Sequence, residues 1–346
     1  MSDQIIKTAR LTLRPPHPSD AAAVVPAIGN FNVARWLGSL PYPYHLSDAQ
    51  SFISTCQDKL NKTWHVFDKT GLVGGCAIES ELGYWLSEPA WGQGYGTEIA
   101  DAMADRWFAD PNAGDLPSGY HEGNQRSAHV LGKLGFSLTG KVSQVENTAL
   151  GSTINSHKMA LTRATWRANR EFRLTTPRLT LREIRAEDWP DVQRIGGDPR
   201  VAPMLVSAQT PWPKEDVQQW IKFQMFRGRI GFRVAICLDH RLIGTAMFGG
   251  PPMVSAPTTA YFIDPDHWGN GYATEAMRAF LLEAMQRFQT PTIWADHFED
   301  NPASGAVMRK LGFVETKRGI GESRARVEPA PVVIYRLDIA NLKAQS

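Results

Sequence analysis

The chain has 346 residues, 42% of them hydrophobic and 21% charged, which suits a globular protein of two ordinary domains. A net charge of +2 leaves no overall basic field for nucleic acid or an anionic membrane, and no apolar run approaches the ~18 residues of a membrane span. Its three cysteines, Cys56, Cys76 and Cys237, fall in no metal-ligand spacing, and an odd number closes no disulfide framework, so the expectation is a cytoplasmic protein without a metal, nucleic-acid or membrane partner.

The first predicted element is a short strand over 11–14. A helical region follows, with Asp20 near its start, and then a second helix over 48–59 with Ser47 as its N-cap. Three strands are expected at 64–68, 72–78 and 82–86. The run Trp91-Gly92-Gln93-Gly94-Tyr95-Gly96-Thr97-Glu98 then opens a long helix. The strand expected near 116–120 carries Pro117 and Gly119, residue types that weaken β pairing. A helix from about Asn124 and two closing strands complete this half. A short, charged linker over 165–171 leads to the same order again. Strands are expected at 179–183, 232–238, 242–248 and 259–263, then a helix with apolar spacing at Ala276, Phe280, Leu281, Ala284 and Phe288, a strand at 292–298 and a helix over 301–311.

The second half repeats residues as well as elements. Trp91 to Glu98 returns as Trp268-Gly269-Asn270-Gly271-Tyr272-Ala273-Thr274-Glu275, displaced by 177 residues. The same displacement carries Asn124 to Asn301, Ser127 to Ser304, and Lys133-Leu134-Gly135-Phe136 to Lys310-Leu311-Gly312-Phe313. Arg10-Leu11-Thr12-Leu13-Arg14 answers Arg178-Leu179-Thr180-Leu181-Arg182 at 168 residues. The offset is 170 at Gly74/Gly244 and 177 at Tyr84/Tyr261, so the second copy gains seven residues between them, a Gly/Pro loop over 249–257. A repeat this long is a duplicated domain, with boundaries expected at 1–165 and 172–346.

In each copy a glycine loop lies between a strand and a helix. Successive N–H groups at a helix start form a concave donor site, and the helix dipole adds positive potential. Glycines at alternate positions let an anion approach without a Cβ clash. Gly92, Gly94 and Gly96 do not match the dinucleotide fingerprint, and no Gly-Lys-Ser/Thr marks a Walker loop. The pattern predicts an anion site made twice.

Together, the order of elements, the W-G-x-G-Y-[GA]-T-E loop, the N-x-x-S and the K-L-G-F resemble the GNAT acetyltransferases, and among them the RimJ/RimL-type protein N-terminal acetyltransferases. The resemblance covers nearly the whole chain, once per half. Trp91 and Trp268 stand where the broader family pattern has Arg or Gln, as is usual in this branch. The resemblance implies an α/β fold class (an α+β mixed sheet). Two tandem GNAT folds are implied, each a mostly antiparallel seven-stranded mixed sheet, splayed between its fourth and fifth strands and flanked by helices. It implies acetyl-CoA as co-substrate in each splay. The pyrophosphate would lie on the loop from Gly92 through Gln93, Gly94, Tyr95 and Gly96 to Thr97, and on its copy from Gly269 through Asn270, Gly271, Tyr272 and Ala273 to Thr274. The backbones of Leu86 and Ile263 would pair with the pantetheine arm, Asn124 and Asn301 would line it, and Ser127 and Ser304 would lie near the sulfur.

The implied activity moves an acetyl group to an amine of a protein N-terminus or a small molecule, by direct attack on the thioester. A non-catalytic acyl-CoA sensor or scaffold, or a transferase of another acyl group, is the alternative reading. Asn124 and Asn301 also suit plain helix capping, and Ser127 and Ser304 suit proton donation to a leaving thiolate. For the base, Glu79 ends the strand before the splay in copy 1, and the position aligned with it in copy 2 is Phe248. Asp264, His297 and Asp300 are the weaker substitutes there. Glu98 and Glu275 sit in the first turn of the loop helix, where a carboxylate suits the dipole.

Overall fold

A computed structural model describes residues 5–38, 40–57, 62–250 and 257–344. The chain divides into two compact units, Met1–Arg167 and Ala168–Ser346. In the first, β1 (Ile6–Lys7) and β2 (Thr12–Arg14) lead through α1 (Ala21–Ile28), α2 (Phe31–Ala34) and α3 (Leu46–Gln57) to β3 (Thr63–Asp68), β4 (Gly71–Ile78) and β5 (Leu82–Leu86). Then come α4 (Tyr95–Phe108), β6 (Leu116–His121), α5 (Gln125–Lys133), β7 (Ser137–Asn147), β8 (Ser152–Leu161) and α6 (Arg163–Ala168). The second unit begins with β9 (Arg173–Thr175), β10 (Thr180–Glu183), α7 (Trp189–Gly196), α8 (Lys214–Gln224), β11 (Phe232–Leu238), β12 (Arg241–Gly249) and β13 (Thr258–Ile263). It ends with α9 (Tyr272–Arg287), β14 (Thr292–Phe298), α10 (Pro302–Lys310), β15 (Val314–Gly321), β16 (Ala330–Asp338) and α11 (Ile339–Ala344).

Each unit holds an eight-stranded mixed sheet, in the orders β1-β2-β3-β4-β5-β6-β8-β7 and β15-β16-β14-β13-β12-β11-β10-β9. The strand beyond the expected seven is the short edge piece, β1 or β9, which pairs back onto the strand after it. All pairings are antiparallel except one per sheet, between β5 and β6 and between β13 and β14. A crossover through a long helix makes that pair parallel. These pairs are also where the sheet opens, since each shares a single register position, Leu82↔Ser118 or Thr258↔Trp294. The duplication reaches the irregularities: a bulge between Val66 and Phe67 in β3 returns between Ile236 and Cys237 in β11.

Apolar residues on both faces of each sheet explain the two helix layers. On one face α4 lays Ile99, Met103 and Phe108 against Leu13 and Val66, and α9 lays Met277, Phe280 and Leu281 against Leu181 and Val234. The opposite face takes α1 and α3 through Val24, Ile28 and Ile53, or α7 and α8 through Val192, Ile195, Val217 and Ile221.

Several details depart from the sequence reading. Ser47 lies inside the first turn of α3, and the side chain that caps it is Asp48, which accepts the His45 amide at 2.8 Å. Residues 58–61, the expected end of that helix, and most of the inserted Gly/Pro loop, 251–256, lie outside the described residues. Pro117 and Gly119 do not disrupt β6, which pairs with β8 at every position from Leu116 to His121. The glycine is what admits the neighbour, because a Cβ there would stand 2.8 Å from the His157 carbonyl oxygen.

Candidate active site

The glycine loops close the open ends of β5 and β13. Gly92 and Gly94 hold φ of +77° and +80°, and Gly269 and Gly271 hold +80° and +77°. These left-handed conformations are what the glycines supply. They turn the chain so that α4 and α9 start with their first amides facing outward. Neither helix has a side-chain cap at its start. The amides of Tyr95, Gly96 and Thr97, and of Tyr272, Ala273 and Thr274, are therefore the uncapped first-turn donors that a helix leaves for an anion. No atom lies within 4 Å of a Cβ built on Gly92 or Gly269, so the loop is open on that side.

A clasp holds each loop. Arg10 donates to both oxygens of Glu98, at 2.8 Å from its amide and 2.8 Å from Nε, and its Nη1 donates to the Gln93 carbonyl at 2.7 Å. Arg178 repeats this on Glu275 at 3.0 and 2.6 Å and on the Asn270 carbonyl at 3.0 Å. Glu98 and Glu275 are therefore structural, tying the first strand to the loop. Thr176 and Arg178 hold Glu275 ionised, overcoming the burial that opposes it. The loop tryptophans have a similar task. The Trp91 indole N–H donates to the Leu86 carbonyl at 3.0 Å, and that of Trp268 to the Ile263 carbonyl at 2.8 Å. The backbones of these two residues are the ones expected to pair with the pantetheine arm, and each carbonyl already accepts one indole N–H.

Asn124 and Asn301 act as N-caps of α5 and α10, accepting the amides of Ser127 at 3.2 Å and Ser304 at 3.3 Å. Each serine hydroxyl then meets a tyrosine from across the opening: Tyr84 of β5 at 3.0 Å from Ser127, and Tyr261 of β13 at 3.2 Å from Ser304. Burial pushes both phenols up to about 12, against the opposing hydrogen bond from serine, so both stay protonated at neutral pH. Sequence reasoning missed this Tyr–Ser pair, although Tyr84/Tyr261 was already a landmark of the 177-residue offset.

The candidate bases fare differently. Glu79 lies just past β4 and is exposed. Gly74↔Leu86 in one sheet corresponds to Gly244↔Ile263 in the other, which matches Ile78 to Phe248 and sets Gly249, not Phe248, in the place of Glu79. Asp264 is buried and ion-paired to Arg194 at 2.7 Å. The Nδ1 of His297 is hydrogen-bonded to the Phe298 carbonyl at 2.8 Å, and Asp300 is paired with Arg326 at 2.9 Å. These three substitutes are engaged in holding the fold. No group of three or more potential metal ligands occurs among the described residues, and none of the described helices is long and apolar enough to cross a membrane.

A sheet opened at its one parallel pair, with an uncapped helix start at the mouth and hydroxyls lining the gap, defines an acyl-transfer class of site made twice in one chain. The Acetyltransferase (GNAT) domain family matches residues 10–137 and 178–314, and the chain belongs to it, as an acyltransferase with two tandem GNAT domains. It is similar to the uncharacterized N-acetyltransferase YnaD of Bacillus subtilis (strain 168), 26% identical over 140 residues, which span 40% of this chain and 81% of that protein. Among solved structures it resembles a GNAT-family acetyltransferase from Bacillus anthracis at 20% identity and TM-score 0.43, covering 49% of this chain and 99% of that one. It also resembles Mycobacterium smegmatis RimJ in complex with CoA-disulfide at 19% identity and TM-score 0.40, covering 50% and 93%.

Proposed function

We propose that the chain is an acetyl-CoA-dependent N-acetyltransferase acting on an amine of a protein N-terminus or a small molecule. The observation that carries this reading is the duplicated placement of uncapped helix amides at the wide end of a gap whose wall presents a protonated Tyr–Ser pair. The loop amides would take the cofactor's pyrophosphate. The free NH₂ of Asn124 or Asn301 would meet a carbonyl of the extended arm. A neutral amine attacks the thioester carbon, the C–S bond breaks, and the departing thiolate takes a proton from Ser127 or Ser304, backed by Tyr84 or Tyr261. In the N-terminal unit Glu79 is the nominated proton acceptor. All three cysteines are buried thiols outside any disulfide, which fits a reducing compartment such as the cytoplasm.

Calorimetry with acetyl-CoA, followed by a screen of amines and N-terminal peptides for release of free CoA, tests this reading. Two binding sites per chain and turnover with at least one amine are expected. Absence of binding overturns it. Binding without turnover on any acceptor would favour the sensor or scaffold reading instead.

A further inference from the structure

The two faces of the C-terminal opening carry different chemistry. Strand β14 leaves β13 after Trp294, whose amide donates to the Pro257 carbonyl at 3.0 Å. Beyond it, side chains alternate. Ala295 is buried with the α9 core, and His297 backs onto α10, where a Cβ on Gly305 would stand 2.6 Å from its Nε2. Trp294 and Phe298 pack on the other face, with Met204 and Ile334. Asp296 lies between them on that face and is exposed. Two residues past the last paired position, it is level with Ala260 of β13, also exposed and on the same face as Phe262. The separation from the apex along the strand is about 7 Å. Tyr261 and Ser304 approach the same stretch of the gap from the α10 face.

We infer that Asp296 is the carboxylate that takes the proton from the acceptor amine in the C-terminal unit. This rests on the acetyl-transfer reading above and assigns the base that reading leaves open. A thioester lying in the gap has hydroxyls on one face and this carboxylate on the other. The amine arrives as an ammonium ion and gives one proton to Asp296. Asp296 passes that proton to water, the nitrogen lone pair forms the C–N bond, and the C–S bond breaks. The second N–H proton goes to the freed Asp296 carboxylate, and the thiolate takes a proton from Ser304, which recovers it through Tyr261 from solvent. Asp296 returns its proton to water as the amide leaves.

Three further observations fit. The Asp296 carboxylate forms no hydrogen bond or ion pair among the described residues, unlike those of Asp264 and Asp300. Although its side chain reaches solvent, the protein around it partly desolvates the carboxylate and raises its pKa, with only the neighbouring His297 opposing, which moves it towards the range of a useful base. The charged groups around it are Arg336 on β16, in register with Trp294 and paired with Asp338, and Lys317 on β15, in register with Ile334. Arg326 and Asp300 stand as a pair beyond the strand end. The N-terminal unit has no counterpart. The 177-residue offset, held by Asn124 N to His121 O and Asn301 N to Phe298 O, sets Gly119 in the place of Asp296 and Gly83 in that of Ala260. Backbone contact leaves no room for a side chain at Gly119, and Lys158, opposite it on β8, is paired with Glu81 at 2.9 Å.

The test uses the full chain carrying Gly94→Val, so that turnover reports the C-terminal unit. Asp296→Asn should lower kcat by ~10²-fold or more, leave acetyl-CoA affinity unchanged and remove the acidic limb of the rate profile between about pH 5.5 and 9. Asp296→Glu should restore part of the rate and the limb. A carboxyl NMR titration of Asp296 gives an arm independent of the acceptor: acetyl-CoA should move its midpoint. The inference is overturned if Asp296→Asn stays within about threefold of its parent with the limb intact. A midpoint unmoved by bound acetyl-CoA overturns it equally. Failure of the C-terminal unit to bind acetyl-CoA at all would instead bring down the acetyl-transfer reading on which it rests.

Discussion

Alanine at Gly94 or Gly271 separates a cofactor loop from an ordinary turn. Both residues hold left-handed φ, +80° and +77°, which costs a residue with a Cβ roughly 1–2 kcal/mol. Crowding adds little. The new Cβ would stand 3.3 Å from Arg10 Nη2 in one loop and 3.7 Å from Arg178 Nη2 in the other, and both atoms end flexible side chains. Alanine escapes the strain by rotating its φ to negative values, which turns the following helix amides away from the mouth. Ligand binding must reverse that rotation. The same 1–2 kcal/mol therefore reappears as a loss of acetyl-CoA affinity of about 5- to 30-fold, confined to the altered unit. Two-site calorimetry on each single variant measures it. Gly132→Ala is the control, because its φ is not left-handed and no atom lies within 4 Å of the added Cβ. It should stabilise α5 by about 0.5–1 kcal/mol and leave binding unchanged. If Gly94→Ala and Gly271→Ala both bind acetyl-CoA as the parent does, the loops are turns and the anion-site argument fails.

The Tyr–Ser pairs should behave as coupled units. Tyr261→Phe and Ser304→Ala should each slow release of CoA, and the double variant should lose less than the two effects combined, with a coupling of roughly 1 kcal/mol. Strict additivity in turnover would mean that the hydroxyls act separately. Stability of the N-terminal unit should fall with acid in two windows. His65 is buried beside Asp20 at 2.8 Å, and burial, outweighing the raising effect of Asp20, holds its pKa below the usual 6.5. The native state then binds fewer protons than the unfolded chain, so stability is full above about pH 6.5 and declines below it. Asp20 is held at about 2: burial raises it, but Arg14, the His17 amide and His65 together outweigh that. Its contribution, about 2 kcal/mol, is full above about pH 4 and lost as the pH falls towards 2. Thermal melts of His65→Gln across this range should lack most of the upper window, and an unaltered pH profile would refute the assignment.

The fold was legible because its main determinants are local or periodic. Helix α9 follows its apolar spacing, and the loop glycines announced their own left-handed turns. The repeat then confirmed each element twice. Other features rest on contacts between distant residues. Nothing local says that Glu98 meets Arg10 or that Tyr84 reaches Ser127. Gly119 looked like a strand breaker because a sequence does not show how near β8 must come. Its Pro117 neighbour is accommodated because the pair with Ala160 survives. Asp296 read as one polar residue in a strand, and only the register shows it beside an opening. Arg233 was equally silent: its guanidinium is buried against Trp220 at 4.7 Å and donates to the Thr245 hydroxyl at 2.9 Å.

The pattern of likeness and difference between the units has a physical cause. On the loop side the copies agree group by group: left-handed glycines, Arg–Glu clasp, indole on the strand carbonyl, asparagine cap, Tyr–Ser pair. On the acetyl-transfer reading proposed above, a shared anionic, thioester-bearing ligand would impose the same geometry on both and leave few alternatives. On the opposite face the same positions diverge: Gly119 against Asp296, His121 against Phe298, and Thr63 against Arg233, whose pKa burial lowers to about 9. A buried guanidinium with no ion-pair partner among the described residues costs stability, and a partly desolvated carboxylate with a raised pKa does too. Such groups are not what packing alone would select. In the reaction proposed above, they lie on the face from which an acceptor would approach the thioester. The proposed reaction thus predicts one cofactor frame fitted with two different acceptor faces, and acceptor screens on Gly94→Val and Gly271→Val chains should return different amine preferences.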